Sequence, residues 1–168
     1  TGGTTGNVVI DNGTTALELA ASTISGTLTA TGGASAGIVD SGNVAVAGNV
    51  TLTTDAGNGV INMGTLQQSA GDLILVTNGN GAATVVNNAA IDFGTSNVGG
   101  ALDVTASAGT ITQNGGALTV AGTSAFTTST NDQAITLSST SNALTGAVAF
   151  TTGGTTGNVV IDNGTTAL

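Results

Sequence analysis

The chain has 168 residues, a formal charge of −9, and no Lys, Arg, His, Cys, Pro, Trp or Tyr. Without His, Cys or Lys it has no ordinary general base near neutral pH, no activated thiol and no Schiff-base amine, so the composition predicts neither an enzyme nor a cofactor. Without Lys or Arg it lacks the basic footprint that phosphate needs, its acidity repels polyanions, and no apolar run nears the ~18 residues of a membrane span, so neither nucleic acid nor membrane insertion is expected.

The chain opens on TGGTTGNVVIDNGTTAL, residues 1–17, and the same stretch returns unchanged as 152–168, a period of 151 from position 1 to position 152. A stretch whose end repeats its beginning is one full period plus an overlap. It predicts a single solenoid segment, residues 1–168, cut from a longer tandem array. A weaker half-repeat lies inside the period. At one constant offset, Leu17-Glu18-Leu19 aligns with Ile91-Asp92-Phe93, Leu28 with Leu102, and Val44-Ala45-Val46 with Leu118-Thr119-Val120, which puts half-repeat boundaries near 28 and 102.

Further along, short runs alternate apolar and polar residues between Gly, Asn and Ser turns, the pattern of half-buried strands. Leu28–Thr31, Ile38–Asp40 and Val44–Val46 are the clearest set of three. Coil starts fall at Leu28, Val50, Leu73, Leu102, Phe126 and Phe150. The expected fold is therefore an all-β parallel β-helix with three short strands per coil and about six coils per period. At one strand spacing per coil the period would advance by about 29 Å. Side chains alternate between faces, so the coil starts form an inward column, and Ala30, Leu52, Leu75, Val104, Thr128 and Thr152 form a second. The third strand contributes Val44/Val46, Leu66, Ile91/Phe93, Leu118/Val120, Leu144 and Leu17/Leu19.

Burial explains why such a sequence must stack. One coil of some ~25 residues cannot offset backbone ordering at roughly 1–2 kcal/mol per residue, whereas each added coil buries its apolar side chains against the coil below. The 28 glycines suit tight corners. Neither Pro nor Lys guards a bare edge, which predicts association with identical chains end to end or side by side.

Several residues merit scrutiny as sites. Asp11 and Asp40 end second strands in the predicted register, and two facing carboxylates can hold a hard cation such as Ca²⁺ or simply point into water; the expectation is solvated turn carboxylates and no metal site. Asn62, Asn87 and Gln113 continue that column as amides able to bond along the stack. Glu18 and Asp92 occupy equivalent places three coils apart, roughly 14 Å at strand spacing, too far for a glycosidase pair. Outward pairs Thr29/Thr31 and Thr51/Thr53 suggest an ice- or glycan-binding face, although Ile74/Val76, Asp103 and Gly153 interrupt it. Phe126 and Phe150 read as a core stack.

The stretch Ser107–Thr123, SAGTITQNGGALTVAGT, resembles the repeats of large bacterial secreted exoproteins, the filamentous-haemagglutinin-like and β-strand-repeat adhesins. So do Asn142–Val148 and Gly157–Asp162. The resemblance implies a right-handed parallel β-helix at the cell surface or outside the cell. It implies a structural fibre or biofilm element, or the stalk of an adhesin whose binding tip lies elsewhere.

Overall fold

A computed structural model describes residues 6–168, and all its strand pairs are parallel. The chain winds repeatedly between two walls. The lower coils comprise β1 (Val8–Asp11), β2 (Leu17–Leu19), β3 (Ser22–Ile24), β4 (Leu28–Gly32), β5 (Ile38–Asp40), β6 (Val44–Val46), β7 (Val50–Thr54), β8 (Ile61–Gln68) and β9 (Asp72–Val76). Above them come β10 (Ala83–Asn87), β11 (Ile91–Phe93), β12 (Ser96–Val98), β13 (Leu102–Ala106), β14 (Ile111–Gln113), β15 (Leu118–Val120) and β16 (Ser124–Asn131). The top is β17 (Ile135–Leu137), β18 (Ala143–Leu144), β19 (Val148–Gly153) and β20 (Val159–Ile161). Wall one stacks β1, β4, β7, β9, β11, β14, β17 and β20, with β12, β15 and β18 alongside. Wall two stacks β2, β5, β8, β10, β13, β16 and β19, with β3 and β6 alongside. The expected parallel solenoid is what forms.

A typical coil has one straight strand on one wall and two short arms on the other. In the lower half the straight strands β4, β7 and β9 lie on wall one, and the arms lie on wall two as β5 with β6 and the two ends of β8. In the upper half the pattern changes sides. The straight strands β10, β13 and β16 occupy wall two, while β11–β12, β14–β15 and β17–β18 form arms on wall one. Leu28 opens β4 and its half-repeat counterpart Leu102 opens β13, on opposite walls. Between them wall one steps from β4 through β7 and β9 to β11, and the chain then crosses to β13. The half-repeat is thus three and a half turns, and the whole period is seven.

This corrects the predicted register. β1 and β20 contain the same Val-Val-Ile, one period apart, and seven steps on wall one separate them, not six. Seven rungs advance the period by about 34 Å. The column Leu28, Val50, Leu73 holds, as does Ala30, Leu52, Leu75. The residue above Leu73, however, is Phe93. Leu102 instead stacks on Ala83, on the wall opposite Leu73, where Phe126 lies over Val104 and Thr128 over Ala106. In the third set Val44 does meet Leu66 and Val120 meets Leu144, but Leu17 lies under Ile38 while Ser22 and Ile24 lie under Val44 and Val46. The physical reason is that a repeat counted in residues need not span whole turns. Apolar alternation assigns a side chain to the inside and carries no information about which wall it starts from.

The core follows directly from alternation. Along β4 and β7 the inward residues Leu28, Ala30, Val50 and Leu52 are buried, and the threonines between them are half-buried on the outer surface. Each large aliphatic side chain withdrawn from water contributes about 1.5–3 kcal/mol. In the upper half the core is bridged by aromatics. Phe93 on wall one meets Phe126 on wall two edge to face, with ring centres 6.3 Å apart, and Phe126 stacks on Phe150 at 5.7 Å. The predicted Phe126–Phe150 stack is present. Corners are held coil to coil by backbone hydrogen bonds: the Gly48 N–H donates to the Gly26 carbonyl at 2.9 Å, and its counterpart Gly122 N–H donates to the Gly100 carbonyl at 3.0 Å. Gly37, at φ +60°, cannot carry a Cβ because that position meets the backbone of Val60 in the next coil.

Candidate functional site

Several of the acidic residues build turns. Asp11 lies on wall one beside Thr31, and its carboxylate accepts from the Gly13 N–H at 2.8 Å. Asp40 lies on wall two, where it accepts from the Gly64 and Thr65 N–H groups at 2.9 and 2.7 Å and from the Thr65 hydroxyl at 2.9 Å. The predicted juxtaposition of Asp11 and Asp40 does not occur, because their strands belong to different walls. Glu18 and Asp92 likewise lie on opposite walls rather than in one column. The stacked acids are instead Asp72 and Asp92, register partners on wall one. Asp72 accepts from Asn114 Nδ2 at 3.1 Å and Asp92 from the Thr112 hydroxyl at 3.0 Å. Sequence reasoning missed this pair; the signal would have been a short coil running from Asp72 to Asp92. Among the described residues, no three acidic side chains gather as a metal site requires.

Asp132 is engaged in the same way as Asp40. It sits at φ +64°, and its carboxylate accepts from the N–H groups of Thr156 and Thr155 at 2.8 and 2.7 Å and from the Thr156 hydroxyl at 3.0 Å. The Thr156 N–H first, then that of Thr155, hold this carboxyl below the usual carboxylate range. It fixes the turn of the coil above, which is a structural task.

The threonine columns keep their register for two rungs, Thr29 under Thr51 and Thr31 under Thr53. Above them lie Ile74 and Val76, and the later members cross to wall two, where Thr127 lies between Thr105 and Thr151. Among the described residues, no continuous threonine lattice spans one face.

The chemistry that recurs is amide chemistry at the points where the coil pattern changes walls. The predicted column of Asn62, Asn87 and Gln113 is not one: Asn62 faces outward on wall two between Val39 and Thr84, Asn87 is buried, and Gln113 belongs to wall one. Straight β10 lies over two-armed β8, and its register shifts between Val85 and Asn87. A straight strand cannot follow the second arm, whose peptide groups would be left uncovered. The Asn87 side chain supplies the missing peptide. Its Oδ1 accepts from Gln68 N–H at 2.8 Å, and its Nδ2 donates to the Gln68 carbonyl at 3.0 Å and the Ala90 carbonyl at 2.8 Å. The same device recurs at the top of the stack, where straight β20 pairs with the first arm, β17, and not with the second, β18. Asn163 Oδ1 accepts from Leu144 N–H at 2.8 Å, and its Nδ2 donates to the carbonyls of Leu144 at 3.1 Å and Thr166 at 3.0 Å. The matching spacing from Asn87 to Ala90 and from Asn163 to Thr166 was visible in the sequence, but its meaning depends on the change of walls.

Both ends of the core are apolar and open. Val8 and Ile10 at the bottom, and Val148, Phe150 and Ile161 at the top, are only partly buried against it. At the bottom, Val8, Ile10, Leu19, Ile24, Leu28 and Val44 line a depression of about 270 Å³. Among the described residues no helix is long and apolar enough to cross a membrane.

No curated protein and no solved structure matches the chain. One family, described as Repeats of unknown function (DUF5649), matches twice, over residues 5–86 and 79–151. The two matches start at positions 5 and 79, an interval equal to that from Leu28 to Leu102, so each covers about three and a half turns of the solenoid. Spanning most of the sequence in this way, the chain belongs to the DUF5649 repeat family.

Proposed function

We propose that the chain is a segment of a stiff extracellular fibre, part of a repetitive bacterial surface or secreted protein of the filamentous-haemagglutinin-like kind, and that it carries out no catalysis. The observation that supports this reading is the uninterrupted parallel stack with one core running from end to end. Such a stack lengthens without limit by adding repeats, and its stability grows with each neighbour. Acids and amides spend their bonding capacity on turns and on coil-to-coil links. A sequence without Lys or Arg also presents no trypsin site, which suits a protein exposed to proteases.

The test is to detect the chain in washed cell surface, culture medium and lysate, and to image the particles that carry it. The proposal expects surface or medium location and rods whose length rises with the number of periods. Confinement to the lysate would overturn the location, and compact particles of fixed size would overturn the fibre.

A further inference from the structure

We propose that the open face under Val8, Ile10, Leu19 and Ile24 receives the top rung of a second copy of this repeat in tandem, and that Asn12 is the side chain that locks the join. The inference rests on the fibre reading and specifies the interface between its units.

Residues 6–17 and 157–168 are one sequence seen in two settings. Its local shape is the same in both. Gly13 and Gly164 have φ of 59° and 58°. The Gly13 N–H donates to Asp11, and the Gly164 N–H to Asp162, each at 2.8 Å. Thr15 N–H donates to the Asn12 carbonyl at 3.2 Å, and Thr166 N–H to the Asn163 carbonyl at 3.0 Å. The two settings differ in which neighbour is seen. At the bottom the segment shows its upper neighbour: Val8–Asp11 pair with Leu28–Thr31, and Gly33 N–H donates to the Thr15 carbonyl at 2.9 Å. At the top it shows its lower neighbour: Val159–Ile161 pair with Ile135–Leu137, and Asn163 clamps Leu144.

Combining the settings gives a segment covered on both sides, with Leu28 of one copy stacked over Val159 of the copy below. The walls agree, because a period of seven whole turns returns the chain to wall one. In the bottom setting Asn12 is exposed and its Nδ2 donates locally to the Ala16 carbonyl at 2.6 Å. In the join the same asparagine takes the role of Asn163, which is 7 % exposed. Each half-repeat then contributes one clamp where the pattern changes walls: Asn87 within the copy, and Asn12 between copies. Ile10, half-buried under Ala30, becomes a core residue like Leu52 and Leu75 above it.

The test uses two periods in tandem, residues 1–151 followed by 1–168, beside the single chain of one period and its overlap. Val9→Ile in the internal segment alone gives its peptide a distinct mass, and Val9 is 77 % exposed, so the change leaves packing intact. Amide exchange by mass spectrometry should show the internal segment at least ~10-fold slower than the N-terminal one, since a covered strand opens less often than an edge strand. Asn12→Leu in the internal segment should abolish most of that protection, whereas Asn12→Leu in the single chain should leave exchange of residues 28–137 unchanged. An internal segment exchanging as fast as the N-terminal one, while residues 28–137 stay protected, overturns the join and leaves the stack standing. Rapid exchange throughout residues 28–137 of the single chain overturns the fibre reading itself.

Discussion

Replacing Asn87 with leucine removes a buried amide while nearly preserving its volume, so it isolates the clamp from packing. Three backbone groups lose their partner: the Gln68 N–H, the Gln68 carbonyl and the Ala90 carbonyl. An unsatisfied buried group costs about 1–3 kcal/mol. The N–H has a single hydrogen and belongs at the upper end of that range, whereas each carbonyl keeps a second lone pair and belongs near the lower end. The sum is about 5 kcal/mol, large against the total stability of a domain. Asn62→Leu, at an exposed position on the same wall, serves as the control and should change stability by no more than about 0.5 kcal/mol. Urea unfolding gives the global loss, and amide exchange at Gln68 gives the local one. A loss below about 1 kcal/mol with Gln68 still protected would refute the idea that Asn87 stands in for a peptide group.

Three further outcomes follow from the same structure. Phe126→Ala should cost about 3–5 kcal/mol, because the ring is fully buried between Phe93 and Phe150, and Phe150→Ala at the partly buried top should cost about half as much in the same denaturation assay. Gly37→Ala adds contact with the Val60 backbone to left-handed strain and should cost more than about 2 kcal/mol, while Gly13→Ala, at φ +59° with open space around it, should cost only about 1 kcal/mol. Asp132 has a depressed pKa in the folded chain, so its carboxylate stabilises above the unfolded value near pH ~4, and that contribution disappears as pH falls through the lower folded value. The stability difference between the native chain and Asp132→Asn should therefore be constant from about pH 5 to 8 and shrink below about pH 4, as followed by unfolding at each pH.

Much of the fold was legible because strand alternation is a local property. Leu28-Thr29-Ala30-Thr31 and Val50-Thr51-Leu52-Thr53 declare their inward residues without reference to anything distant, and their columns form as expected. The half-repeat was also legible, since Leu28 matches Leu102 and apolar Val44 matches apolar Leu118. Its meaning in space was not. Val44–Val46 and Leu118–Val120 look alike in sequence yet stand on opposite walls, because the half-repeat ends half a turn out of phase. Coil length is set by which corner peptides bond to the coil below, as Gly48 does to Gly26, and no residue type marks that choice. The site candidates inherited the error. A whole-turn spacing would bring Asp11 and Asp40 together, and the same assumption hides the real pair, Asp72 and Asp92. The clamp at Asn87 was legible as an amide in a column, when its function is to bond to peptide groups left uncovered by a straight strand.

The turn count is the claim from which register, walls and join all follow, and the axial repeat of a tandem array measures it directly. Electron microscopy of a multi-period chain should give an advance of about 34 Å per period, seven rungs at strand spacing, with the two half-repeats following one another along the axis half a turn out of phase. An advance of about 29 Å, six rungs at the same spacing, would contradict the account.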